Sequence, residues 1–220
     1  MLKLSLYFFK QKEKIMKKLA ISLLILSGFF TGCSQTAEYN KNLEVKDTSH
    51  NIAVKKPLQK TYIYMDASAL GSQSIKSSTS LGEDNLKINI GEFVKNESLN
   101  FFKRAFSNLE FSTNKEILSS NDLIVMPEIY RFGYGFYSAD GFNVDSKPFV
   151  NYTLNLKIYK NGMEIYNKVI SKSDRIYGEK TFFGMGNTSY AQIGPIFQKA
   201  LANDYSNNAV DILKAINLAN

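Results

Sequence analysis

The 220-residue chain carries 27 Lys+Arg against 20 Asp+Glu, a formal charge of +7, and 44% of its residues are hydrophobic, with 13 Tyr and 16 Phe. That apolar and aromatic content excludes a disordered chain. A single cysteine, Cys33, and a single histidine, His50, exclude an internal disulfide framework and leave no histidine-based metal or catalytic cluster.

The charge is uneven along the chain. Lys3, Lys10, Lys12, Lys14, Lys17 and Lys18 precede Cys33 with only Glu13 opposing them, so the remainder carries +2, too little to argue for a nucleic-acid partner. From Met16 the order is Lys17-Lys18, then a short apolar run from Leu19 to Phe30, then Thr31-Gly32-Cys33. A basic start followed by so short a run fits a secretory signal and not a membrane span. Leu4, Leu6, Tyr7, Phe8 and Phe9 form a second apolar cluster upstream, and translation is expected to begin at Met16.

Apolar, small, small, then cysteine resembles the lipobox of bacterial lipoproteins, with Phe30 in place of the usual leucine. The resemblance implies a signal peptide over 1–32, cleavage before Cys33 and diacylglycerol on its sulfur, with a further acyl chain such as palmitate on the new amino group. Two or more chains give a stable membrane anchor without a spanning segment. Ser34, where an aspartate would signal retention in enteric systems, implies the outer membrane.

Residues 33–60 are polar and lysine-rich without a sustained period, and read as a flexible lipidated tether to a single domain over 61–220. Thr61-Tyr62-Ile63-Tyr64-Met65 reads as a strand, and 68–84 as a polar loop. Asn89 caps a helix with Glu92 three residues on, and Ile90, Phe93, Val94, Phe101, Phe102, Ala105, Phe106 and Leu109 extend its apolar stripe to about Leu109.

Asp122 to Phe132 reads as a covered strand in which Pro127 marks a bulge or partly open edge. In Phe149 to Tyr159 the alternation puts Val150, Tyr152, Leu154, Leu156 and Ile158 on one face. Asn161-Gly162 then predicts a tight hairpin to a strand from Met163 to about Arg175. Pro195 sits at a favoured first-turn position, and Phe197, Ala200, Leu201, Tyr205, Ala209, Leu213 and Ile216 mark one C-terminal helix. The expected fold is α+β, in the order β-α-β-β-β-α, a mainly antiparallel sheet with two helices on one face.

The helix Glu92 to Leu109, the strand Asn121-Asp122-Leu123-Ile124-Val125, the Asn161-Gly162 hairpin and the final helix through Asn203-Asp204 resemble small outer-membrane lipoproteins of the YajG type. More loosely they are similar to the auxiliary lipoproteins of ABC-type lipid transport systems. The resemblance implies a periplasm-facing accessory domain.

Chemistry is sparse. Asp140 and Asp145 share a loop rich in turn residues, and Gly184-Met185-Gly186-Asn187 lacks the Lys-Ser/Thr of a phosphate-binding loop. No cofactor, metal or nucleic acid is expected, and the chain reads as non-enzymatic. The candidate partner-binding residues are aromatics interleaved with glycine: Tyr134, Phe136, Tyr137 and Phe142, and in the second loop Phe182, Phe183 and Tyr190. Tyr130 and Phe132 are expected to bury as strand residues. The leading role is an envelope lipoprotein that binds another envelope protein. A lipid-handling auxiliary with an acyl groove beside Phe93, Phe101, Phe102 and Phe106, or an adhesin displayed at the surface, are the alternatives.

Overall fold

The five residues that alternation assigns to one face of 149–159 are each 0–1% exposed, and the molecule is assembled around that strand. The computed structural model describes residues 35–43, 60–82, 85–138, 145–171, 174–182 and 188–218, all within one compact unit, Ser34–Asn220. The signal segment, Cys33 and His50 lie outside the described residues.

In chain order the strands are β1 (Gln35–Ala37), β2 (Thr61–Tyr64), β3 (Gln73–Ile75), β4 (Leu86–Ile88), β5 (Leu109–Ser112), β6 (Leu123–Tyr137), β7 (Asp145–Lys160), β8 (Met163–Val169), β9 (Ile176–Tyr177) and β10 (Thr181–Phe182). The helices are α1 (Ile90–Phe102), α2 (Thr188–Ala191), α3 (Ile193–Asn207) and α4 (Ala209–Leu218). The main sheet runs β10-β7-β6-β2-β5. Strands β8, β9 and β10 follow one another along the edge of β7 that β6 leaves free, at 155–160, 149–150 and 145–146. A smaller sheet, β1-β4-β3, joins the N-terminal strand to the body.

The α+β class holds, as mixed sheets with helices packed against them. The β6–β7–β8 pairings are antiparallel, whereas β2 is parallel to both β5 and β6. A parallel pair requires a crossover, and α1 supplies it between β2 and β5. The Asn161-Gly162 turn has positive φ at both residues, 52° and 72°, as a type I′ hairpin demands. Asn89 caps α1 by accepting from the Glu92 N–H at 3.0 Å.

Several boundaries move for physical reasons. Helix α1 stops at Phe102, where the chain tightens and the Ala105 and Phe106 N–H groups both donate to the Phe102 carbonyl. Ala105 and Phe106 still reach the core from that turn, and Leu109 opens β5 instead of ending the helix. The C-terminal stripe is shared by two helices, because the Asn208 side-chain amide donates to the Ile170 and Asp204 carbonyls at the junction of α3 and α4. Strand β8 ends at Val169, short of Arg175.

Residues 35–43, expected to belong to the tether, are part of the body. β1 pairs parallel with β4, Gln35 and Ala37 are buried, and the Tyr39 ring meets Phe93 edge-on at 5.5 Å. Pro127 pairs with Leu156, and the β2 side of β6 opens after Val125, as a proline in that strand requires. The bulge comes later, between Tyr130 and Gly133, where Arg131 adopts φ 55°. One extra residue reverses the face of every side chain beyond it. Leu123 and Val125 point into the core before the bulge, and Tyr134 and Phe136 do so after it.

The start of α1 lies against the 3-10 turn Ala67–Leu70. A Cβ on Gly91 would sit 2.1 Å from the Ala69 carbonyl oxygen, which is backbone and cannot rotate away. Gly91→Ala should therefore lower unfolding stability by about 1–3 kcal/mol in urea melts, although alanine is the better helix former.

Candidate functional site

Three of the expected partner-binding aromatics are core residues. Tyr134 is buried and donates its hydroxyl to the Ile75 carbonyl at 3.2 Å, and the Phe136 and Tyr190 rings meet at 4.8 Å. The bulge turns Tyr134 and Phe136 inward, and α2 lays Tyr190 over them. Tyr137 is 47% exposed and meets the equally open Tyr177 edge-to-face at 6.1 Å. Phe182 belongs to β10, while Phe142, Phe183, Asp140 and the Gly184–Asn187 stretch lie outside the described residues.

Tyr130, expected to bury, lies before the bulge and alternates with inward Leu123 and Val125, so it faces the open side of the sheet with its hydroxyl 2.5 Å from Glu128, itself paired with Lys157 at 2.7 Å. Phe132 does pack inward, against Phe197 at 4.8 Å. Of the phenylalanines expected to border an acyl groove, Phe93, Phe102 and Phe106 are instead filled in by one another, Phe197 and Tyr205.

Phe101, half-buried, opens onto a different space. A cleft of about 280 Å³ lies between α1, α3 and the strap 35–43. Its walls are Tyr39, Lys41 and Leu43 from the strap, Glu97, Asn100, Phe101, Lys103 and Arg104 from α1 and the turn after it, and Gln198, Ala202, Tyr205 and Ser206 from α3. The strap is held by a two-bond clamp: Asn40 N–H donates to Gln198 Oε1 at 3.2 Å, and Gln198 Nε2 donates to the Asn40 carbonyl at 3.0 Å. Tyr39 donates its hydroxyl to Glu97 Oε1 at 2.7 Å, and Asn100 Nδ2 donates to that hydroxyl at 3.0 Å.

Beneath this layer the Ser98 hydroxyl donates to the Val94 carbonyl at 2.7 Å, so the Tyr205 hydroxyl, 2.6 Å away, is the donor to Ser98. Phe101 stacks on the Tyr205 ring at 5.2 Å. A second cavity of about 420 Å³ is lined by Thr36, Glu38, Lys87, Asn89 and Glu92 among others.

Glu97 is only 5% exposed, and burial raises its carboxyl above the usual glutamate range against hydrogen bonds that favour the charged form. The Tyr39 hydroxyl is raised as well, by its own burial and then by Glu97. A sequence signal for this site exists in hindsight. Positions 90, 93, 94, 97, 98 and 101 form one helical face, and Glu97 and Ser98 are the polar intruders in it.

The raised carboxyl predicts a pH dependence with a definite sign. A folded-state value above the unfolded one means that stability from Glu97 is complete below about 4.3, the unperturbed glutamate value, and is lost as pH rises through the folded value. Glu97→Gln keeps an acceptor for Tyr39 and removes the titration. Urea melts from pH 4 to 8 should show the variant gaining on the parent as pH rises; a difference independent of pH would contradict the assignment.

No family model matches the sequence, and no curated protein matches it. Among solved structures the chain is similar to the DUF330 protein of Xanthomonas campestris, with a TM-score of 0.52 and 12% identity over 84% of this chain and 97% of that one. That likeness is one of fold. Two PelC dodecamer structures from Paraburkholderia phytofirmans match at TM-scores of 0.36 and 0.32, with 14% and 13% identity, over 70% and 68% of this chain and 89% and 86% of theirs. Among the described residues no helix is long and apolar enough to cross a membrane.

Proposed function

We propose that the chain is a non-enzymatic lipoprotein of the cell envelope, anchored through acyl chains on Cys33, whose α+β body binds another envelope protein. The observation that carries this reading is the Lys17-Lys18 start, the short apolar run and Thr31-Gly32-Cys33, followed within two residues by the first strand of the body. Ser34 after the cysteine favours the outer membrane, with the body facing the periplasm.

The exposed Tyr137–Tyr177 pair is the best-placed part of the expected aromatic surface. It reaches across β7, from Tyr137 on β6, the register partner of exposed Lys147, to Tyr177 on β9, near Arg175, whose guanidinium lies 4.4 Å over the Phe149 ring. Such amphipathic rings beside cations are characteristic of protein interfaces.

A photo-crosslinking residue at position 137 or 177, activated in intact cells, should yield a discrete adduct with one envelope protein. The same probe at exposed Met163, on β8, serves as the background. Identical adduct patterns from all three positions would end the binding half of the proposal. Failure of a metabolically supplied fatty acid to label the chain would end the anchoring half.

A further inference from the structure

We infer that the cleft between α1, α3 and the strap binds a phosphate ester, with Lys41, Lys103 and Arg104 holding the phosphate and Phe101 and Leu43 contacting the stem. The site stands whether or not the chain is lipidated.

Charge comes first. The lining contains three cations and a single carboxyl, Glu97, which lies at the base with Tyr39 and Asn100 bonded around it. The cleft is therefore net positive whether Glu97 is ionised or protonated, and its cations approach from two directions, Lys41 from the strap and Lys103 with Arg104 from the turn closing α1. A tetrahedral anion with several charged oxygens satisfies cations arriving from two sides better than a planar carboxylate does, and Arg104, which also acts electrostatically on Glu97, adds its charge to that of the two lysines.

Size comes second. At about 30 Å³ per water, 280 Å³ has room for roughly nine waters, below the usual range for drug-sized ligands, so the occupant is small or is the head of something larger. Chemistry of the walls comes third. Asn100, exposed, offers its amide to a hydroxyl group on the stem, and Phe101, Leu43 and Ala202 offer apolar contact.

The strap forms one wall, so occupancy should also pin 35–43 to the helices. The same ester could be a free metabolite or a phospholipid headgroup. The full chain in non-ionic detergent can be titrated calorimetrically with three probes: inorganic phosphate, sn-glycerol 3-phosphate and monomeric dihexanoyl phosphatidylglycerol. Saturable binding of glycerol 3-phosphate identifies a free ester, and binding of the short-chain lipid alone identifies a headgroup.

In either case Lys103→Glu with Arg104→Glu should weaken binding by about tenfold or more, and bound probe should slow amide exchange over 35–43. Lys41→Glu, on the strap and exposed, gives a second variant should the double change disturb α1. No saturable heat with any of the three probes, or equal affinity in the parent and the charge-reversed variants, would overturn the inference. So would binding of inorganic phosphate as tight as that of both esters, since the stem would then contribute nothing.

Discussion

Phe197→Ala is expected to cost about 3–5 kcal/mol of unfolding free energy, the usual range for deleting a fully buried phenyl ring. Phe197 is 0% exposed on α3 and is the ring where three elements meet: Phe93 of α1 at 5.2 Å, Phe132 of β6 at 4.8 Å and Tyr152 of β7 at 5.1 Å. Its neighbours are large rings fixed on a helix and two long strands, and Tyr152 is additionally held by its hydroxyl bond to Asp204 at 2.5 Å. They cannot collapse into the space, so the cavity term is added to the transfer term. For a body of this size each kcal/mol moves the midpoint by about 2–4 °C, and the variant should melt roughly 6–20 °C lower by circular dichroism. Tyr130→Ala, on the open face of the same sheet, should stay within about 0.5 kcal/mol of the parent. If the two variants melt alike, Phe197 is not the centre of the core.

That pair of residues also shows what a single sequence can and cannot say. The inward face of β7 was legible because period-two alternation runs uninterrupted from Val150 to Ile158. The hairpin was legible because Asn-Gly meets a steric demand that few residues meet. Tyr130 and Tyr134 look equivalent in sequence, four residues apart in one aromatic alternation, yet one is 47% exposed and the other buried. The difference is Arg131 at φ 55°, a backbone state that arginine does not advertise. Expected partner-binding residues consequently turned out to be core.

The cleft was hidden for a related reason. Residues 35–43 carry too few apolar side chains to announce a strand, and their order comes from partners far away in the chain: Gln198 clamps Asn40, and Glu97 receives Tyr39. Polarity that reads as solvation in sequence becomes specific pairing in the fold. Glu97 could have raised the question, since an acid on the apolar face of a helix needs a reason to be there.

Cys33→Ser should abolish acylation outright. Serine preserves the size of the side chain and lacks the thiol that takes the diacylglyceryl group in the lipobox reading, so fatty-acid label should fall to background and the chain should persist as a precursor with its signal attached. Membrane fractionation of that variant alone would be ambiguous, because an uncleaved apolar run can itself adhere to a bilayer. The decisive comparison replaces 1–33 with a cleavable secretory signal. One acyl chain supports only reversible binding of about 10⁴ M⁻¹, whereas two or more hold a protein through a carbonate wash. The parent should therefore pellet almost completely and the unacylated body should wash free. The expected tether makes a further point testable. Because β1 begins at Gln35, two residues after the cysteine, a body anchored through Cys33 would have a leash of only about 7 Å at full extension and not the length of 33–60. A flexible Gly-Ser insertion of ten residues between Ser34 and Gln35 should leave fractionation unchanged while making the Tyr137–Tyr177 surface crosslink at greater reach. Label retained in Cys33→Ser, or an unacylated body that still pellets, would remove the anchor from the account and leave the cleft to be explained without a membrane.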